Sequence, residues 1–580
     1  MKQTNIGRCV FLSLLVVLTA PLLSQETPKT AISNPDSNII KVTLDSLTKT
    51  AKLFEGMFTF YQDTSNGSLQ MLIKKNQLNK EYIHFVHTLD GVVDVGHFRG
   101  AYKSSKIFEI RKYFNRVEFV TINTSYYFNP DNPLSNSSSA NVNESVLATS
   151  EIVFTDKQSG SILIKADNVF LSESLYQIKP SPNPNVKPGS RFSLGSLNKK
   201  KCQYVSIKNY PFNSDIAVKY VFDNPLPVNR GGPGITDPRS VNLVIQHSFI
   251  EVPDNNYVPR HDDPRVGYFM TQVTDMTSVS NTPYKDVIHR WSLQKKYPEL
   301  PISEPIEPIT FWVENTTPLE FRDAVKEGVL RWNKAFRTAG FKNAIQVRVQ
   351  PDDADWDAGD IRYNVLRWTS SPRPPFGGYG PSFVNPKTGQ ILGADIMLEF
   401  VYFTNRVKYE KLYEEIINGN DFSDGCMAGY YLNQGNQFGF VTSTVSAFSE
   451  ELKKRIINES LIRLVLHEVG HTLGLNHNFK SSYLHDNTRV HNKGITQEMG
   501  LTGSVMEYPG VNIAPPETEQ GEYYTTTPGP YDKWAIEFGY SIPLDNIELE
   551  ESRINAILSR STAPELSFGN DADDMRAAGK

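Results

Sequence analysis

Cysteine is scarce in this chain, with three in 580 residues: Cys9, Cys202 and Cys426. That excludes a small disulfide scaffold and a four-cysteine zinc ribbon. Cys202 and Cys426 either pair in an oxidising compartment or stand as independent thiols. Charge of one sign is lacking too. Lys and Arg number 59 against 64 Asp and Glu, a formal net charge of −5, and there is no basic tract and no glycine-rich phosphate loop. Nothing in this balance selects a nucleic acid or an anionic membrane surface as partner. Long apolar runs are missing with one exception. After Lys2 and Arg8, the segment Cys9–Leu23 is apolar and gives way to Ser24 and Gln25. This pattern predicts an export signal over residues 1–24, because the run falls short of the roughly 20 apolar residues that a membrane span needs. Cys9 opens the run rather than ending it, which does not suit lipid acylation. No later segment is apolar for long enough to span a bilayer, so the mature chain is expected in the periplasm, on the cell surface or outside the cell.

What the chain does have is concentrated in eleven residues, His467-Glu-Val-Gly-His-Thr-Leu-Gly-Leu-Asn-His477, which read H-E-x-x-H-x-x-G-x-x-H. On a helix, His467 and His471 fall on one face, close enough to share a metal ion. The absence of proline from Ser449 to Gly474 and the spacing of Leu452, Ile456, Leu464, His467 and His471 predict that helix. Glu468 is offset by one position, which suits a base that flanks a metal without ligating it. Gly474 can take the left-handed conformation that ends a helix, so that His477 returns as a third ligand. Three histidines leave one tetrahedral position open, the pattern of a catalytic zinc site rather than a structural one. Ser504-Val-Met-Glu-Tyr508 follows as a methionine turn, in which Met506 is a structural candidate for the floor beneath the imidazoles.

These two stretches resemble the metzincin clan of zinc proteases. Three further phrases extend the likeness to a bacterial group of exported zinc-dependent metalloproteases whose Met-zincin catalytic domain follows domains of unknown function: Tyr257-Val-Pro-Arg-His-Asp-Asp-Pro-Arg-Val-Gly-Tyr-Phe269, Gly503-Ser-Val-Met-Glu-Tyr-Pro509 and Pro528-Gly-Pro-Tyr-Asp-Lys-Trp-Ala-Ile-Glu-Phe-Gly-Tyr540. The resemblance implies an α+β fold: a catalytic domain with a mixed twisted sheet, two long helices and a zinc cleft, preceded by a β-rich domain. It implies a secreted endopeptidase acting on protein or peptide substrates, with Glu468 as general base. It also implies a role for Tyr508 like that of the astacin tyrosine, which ligates zinc at rest and stabilises the transition state; packing in the core is the alternative. Asn478 stands where several metzincin families carry a diagnostic residue, and it leaves the subfamily open.

Along the chain, residues 25–40 read as a polar lead-in. Residues 41–225 read as a β-rich domain of short alternating runs at Gln70–Ile73, Tyr82–Val86, Arg116–Val120, Ile162–Ala166 and Asp215–Phe222, with a loop over Asn129–Ser145. Residues 226–304, rich in proline and glycine around a strand at Asn242–Val252, read as a connecting region. The zinc domain is expected at 305–545. It opens with a strand at Ile309–Val313 and a helix capped by Thr317, Pro318 and Glu320 that runs to Ala339, where Gly340 closes it. Strands follow at Ala344–Val349, Asp360–Trp368 and Gly393–Glu399. The resemblance makes the last of these either a cleft border that pairs with extended substrate or an ordinary strand. Residues 546–580 form a C-terminal segment that the resemblance implies is truncated.

Weaker candidates complete the reading. His485 and His491 are expected exposed in a polar loop. His261 either contacts the cleft or lies in a salt-bridged loop. The acidic run Asp352–Asp360 is either a calcium site or a solvated turn. The β-rich domain is compatible with a pro-domain, a lid or a docking module. Two other functions fit the same residues: a cell-envelope binding protein with a dormant zinc domain, and a zinc hydrolase of a narrow non-peptide amide. The intact Glu468 speaks against dormancy.

Overall fold

Alternating apolar and polar residues make a chain pleat with one side buried, and the first half of this protein does that repeatedly. The computed structural model describes residues 43–181, 184, 187, 189–370, 378–399, 428–444 and 450–571; Cys426 and residues 1–24, expected as an export signal, lie outside them. Among the described residues, twelve strands between Ala51 and Glu251 form one antiparallel sheet. Each of the five runs expected as strands lies in it, at Leu69–Ile73, Glu81–Asp90, Arg116–Thr121, Ile162–Lys165 and Asn213–Asp223. The strand Ser240–Glu251, expected in a connecting region, sits inside this sheet between Asn213–Asp223 and Glu81–Asp90. The prolines and glycines that suggested a linker belong to the loop before it, whereas its own residues are buried without a break from Ile245 to Ile250.

Glu81–Asp90 is buried on both faces. Tyr82 and Val86 enter the sheet's own core with Phe108 and Phe249. On the opposite face Ile83 and Phe85 join Ile107 and Ile250, and this cluster packs against Ile361, Phe383 and Leu392 from the second half of the chain. The Phe85 and Phe383 rings meet edge-on at 4.5 Å. Burial on both faces takes in its polar residues too, with His84 and Thr88 as deeply covered as their apolar neighbours.

The second sheet begins with Ile309–Val313, paired in parallel with Ile345–Val349 on one side and Asn364–Thr369 on the other. Asn364–Thr369 pairs in parallel with Gln390–Glu399. That last strand contains the segment expected as a cleft border, but it is not an edge. Met397 and Leu398 face Arg367 and Trp368 on one side and Tyr379 and Gly378 on the other. The outer pieces on that side are Gly378–Tyr379 and Ser382–Val384, antiparallel to it. They arise because Asn385–Gly389 turns the chain back, with Gly389 at φ +74°.

The helix expected from Thr317 to Ala339 is broken. Arg322–Leu330 and Asn333–Phe336 are separate helices, and the Trp332 N–H reaches Val329 O at 3.4 Å, three residues back rather than four. Packing accounts for it: the Trp332 indole is fully buried and donates to Leu466 O at 2.9 Å. Thr317 gives no side-chain cap, whereas Gly340 closes the segment at φ +83° as expected. The C-terminal part is helical, with Ala428–Thr444, Glu450–Thr472, Pro530–Tyr540 and Ile547–Leu558. The whole is therefore a mixed α/β protein with a β-rich N-terminal part. No described helix is long and apolar enough to cross a membrane. Cys202 is a free thiol that donates to Asn198 O at 3.4 Å, and burial pushes its pKa up.

Candidate metal centre

The helix Glu450–Thr472 carries the first two candidate ligands through the middle of the core. From Glu459 to Thr472 every residue is buried, so the stripe of apolar positions visible in its sequence is submerged in contact on all sides. Of the three charged residues in this buried stretch, Glu459 and Arg463 find partners in the loops packed against it. Glu459 accepts from the Tyr523 N–H at 2.6 Å and pairs with Arg455 at 2.8 Å, while Arg463 donates to Glu507 O. The helix ends at Gly474 with φ +96°, where a methyl would collide with His289 O. The chain turns there as expected and brings His477 back to His467 and His471. One ligand-type nitrogen from each of the three lies within 4.8 Å of the others, and among the described residues no other such group of metal-binding side chains occurs.

Each imidazole is fixed through Nδ1. His467 donates to Val505 O at 2.8 Å, His471 to Leu475 O at 2.9 Å, and His477 to both oxygens of Asp571 at 3.0 Å. A ring that spends its Nδ1–H this way keeps its lone pair on Nε2, the atom a metal takes. Burial, and then the neighbouring His471, holds His467 far below the ordinary histidine pKa, and burial followed by His477 takes His471 to about 3, so both rings are neutral. His467 Nε2 is fully buried and has no hydrogen-bond partner. A three-nitrogen set with one buried, unpartnered lone pair fits a divalent zinc ion.

Met506 is fully buried beneath this group, and a methyl at Gly470 would strike its Sδ. Ser504 and Val505 are clamped by Asp532, which accepts from Ser504 Oγ at 2.6 Å, Val505 N at 2.8 Å and Gly529 N at 2.8 Å. Val505 thus links Asp532 on its N–H to His467 on its carbonyl. Glu468 is fully buried, and the outer strand piece crosses directly over it: a methyl at Gly378 would lie 2.6 Å from its carboxyl carbon. Tyr508 places its hydroxyl 2.7 Å from His477 Nε2, and its ring lies 5.3 Å from that of His467.

The phrase Tyr257–Phe269 reaches this centre through its end. Phe269 N–H donates to Gly474 O at 2.7 Å, Asn476 N–H donates to Gly267 O at 3.1 Å, and the Phe269 ring lies 5.6 Å from His471. His261 does not come near; it is exposed and forms a backbone bridge with Val287. His485 and His491 are half-buried rather than exposed, and His485 bonds to Gly500 O at 2.8 Å. The acidic run does not gather its carboxylates. Asp360 pairs with Arg362 at 2.6 Å, Asp357 with Lys208, and Asp352, Asp353 and Asp355 are exposed, which leaves calcium without support. Four contributors were missed from sequence: Gly378, Asp532, Asp571 and the backbone at 267–269. Only Asp532 left a trace, as an acidic residue in the first turn after Gly529-Pro530, a helix-start signal.

Comparison with known proteins adds two findings. Residues 449–579 match the family model described as Met-zincin, and residues 101–296 match a Domain of unknown function (DUF5117). No curated protein and no solved structure matches the chain.

Proposed function

We propose that this chain, whose residues 449–579 match a Met-zincin model behind a match to a domain of unknown function, is a zinc metallopeptidase and, more specifically, an exported endopeptidase that hydrolyses peptide bonds in protein substrates. The observation that carries this is the meeting of three histidines with the buried Glu468 side chain under one strand piece. Zinc held by His467, His471 and His477 would lower the pKa of water to about 7 and polarise the scissile carbonyl. Glu468 takes the proton of the attacking water and returns it to the leaving amine. Tyr508 has its hydroxyl beside His477 Nε2 and donates to the oxyanion as it forms. Met506 holds the floor and Gly474 the turn. Because Gln390–Glu399 is paired on both sides, any strand addition by substrate falls to the outer pieces, Gly378–Tyr379 and Ser382–Val384. Export rests on the N-terminal apolar run, and the β-rich domain buttresses the outer strand through Phe85 and Phe383.

The test is Glu468→Ala in the mature chain with casein as substrate. Zinc content should stay at one per chain while hydrolysis falls by roughly 10³-fold, the scale of general-base catalysis. Chelation should silence the wild type, and added zinc should restore it. A wild type that binds zinc and cleaves nothing would defeat the endopeptidase reading and favour the binding-protein alternative.

A further inference from the structure

His467 and His471 are oriented by the backbone carbonyls of Val505 and Leu475, but His477 stands on a loop and takes a side-chain carboxylate, Asp571, as its Nδ1 partner. The residue after His477 explains how. Asn478 is fully buried; its Nδ2 donates to Ser567 O at 2.9 Å and its Oδ1 accepts from Gly569 N at 3.2 Å. Phe479 N–H donates to Gly569 O at 2.7 Å, and the Phe568 ring stacks on Tyr531 with centroids 5.8 Å apart and planes 7° from parallel. Four contacts thus fix the backbone of Ser567–Gly569 beside the third-ligand loop, and Asp571 follows two residues later with both oxygens 3.0 Å from His477 Nδ1.

We propose that Asp571 is a positioning residue of the metal centre: clasped in place through Asn478, it fixes the tautomer and ring plane of His477 and thereby sets zinc affinity. The inference rests on the zinc reading above. A carboxylate behind a metal-bound histidine raises ligand basicity and orients the ring, and its loss costs 10–100-fold in metal affinity. The Asp571 side chain is 66% exposed, so water screens its charge and the effect belongs at the lower end, about tenfold. Asn478, which left the subfamily open in the sequence, acquires a role as the clasp.

The experiment is zinc competition against a chromophoric chelator, in the full mature chain, for wild type, Asp571→Ala and Asp571→Asn, with the melting temperature of each metal-free protein. Asp571→Ala should weaken zinc about tenfold and leave the metal-free melting temperature unchanged. Asp571→Asn, which keeps an acceptor for Nδ1–H, should recover part of the loss. Cobalt(II)-loaded Asp571→Ala should show shifted d–d bands. Equal zinc affinity in Asp571→Ala and wild type overturns the inference while leaving the zinc centre standing. So does a loss matched by a fall in the metal-free melting temperature that Asp571→Asn does not relieve, since that describes a purely structural strap. A wild type that takes up no zinc overturns the zinc reading itself, and this inference with it.

Discussion

Replacing Gly378 by alanine tests whether the outer strand piece and Glu468, the proposed base, work as one unit. Gly378 lies over Glu468, and the added methyl carbon would sit 2.6 Å from the Glu468 carboxyl carbon and 2.7 Å from its Cγ. An ordinary contact begins at 3.4 Å, so the carboxyl carbon must withdraw by about 0.8 Å and Glu468 Oε1, the atom the methyl meets first, by more. The strand is held by its pairing with Met397 and Leu398, and Glu468 is fully buried on a helix packed all round. The softest response is a swing of the carboxylate away from the position the proposed mechanism gives the attacking water. A misplacement near 1 Å costs about 10²-fold in rate, equivalent to about 2.7 kcal/mol of barrier. Glycine-to-alanine in a strand carries no intrinsic penalty, so the fold is expected to persist. The assay is kcat/KM on a quenched fluorescent peptide, read beside zinc content and melting temperature. The expected result is a loss of about a hundredfold, mostly in kcat, with zinc and stability retained. Activity within threefold of wild type would refute the reasoning, because the strand would then have room to spare above the base.

Two further outcomes are expected. Asp532→Ala strips the clamp from Ser504, Val505 and Gly529 and leaves two buried N–H groups without an acceptor, so it should cost about 2–4 kcal/mol in urea unfolding and weaken zinc in the chelator competition as well; unchanged zinc binding would show that Val505 needs no holding. Burial, and then Lys103, holds His97 at about 4, and its ring is bonded to Thr88 and Ile178 O. Because that value lies below the unfolded one, the stabilisation is complete above pH 6.5 and is lost as pH falls from there towards 4, by about 2 kcal/mol for this group between pH 7 and 5. Urea midpoints at the two pH values check it, and His97→Gln should flatten the slope; equal slopes would remove His97 from the account.

The metal centre was legible where its geometry is local. A helix places residues four apart on one face, so His467, His471 and the turn at Gly474 could be read from spacing alone, and His477 lies within one turn of chain after it. Gly378, Asp532 and Asp571 reach the same centre from other parts of the chain, where no periodicity points to them. The strand Gln390–Glu399 was legible as a strand but not as an interior one, because what covers its side is a hairpin return rather than a pattern in its own residues. Ser240–Glu251 was misplaced for a related reason: proline and glycine in the preceding loop describe that loop, whereas membership of a sheet is decided by partners more than a hundred residues away, such as Glu81–Asp90. The break at Trp332 came from the demand of one indole for Leu466 O, which no helix propensity encodes.

The apolar seam of Ile83, Phe85, Ile107 and Ile250 against Ile361, Phe383 and Leu392 bears on how this protein responds to being cut. Phe383 belongs to the hairpin that lies over Glu468, so the seam ties the two halves at the place where catalysis is proposed. Each buried side chain of this size resists exposure by roughly 1.5–3 kcal/mol, and Lys387 with Glu81 adds an ion pair across the same seam. A single nick in the loop between Glu251 and Tyr257 would therefore sever the polypeptide without parting the halves. The two fragments would migrate as one particle in native separation and resolve only under denaturant.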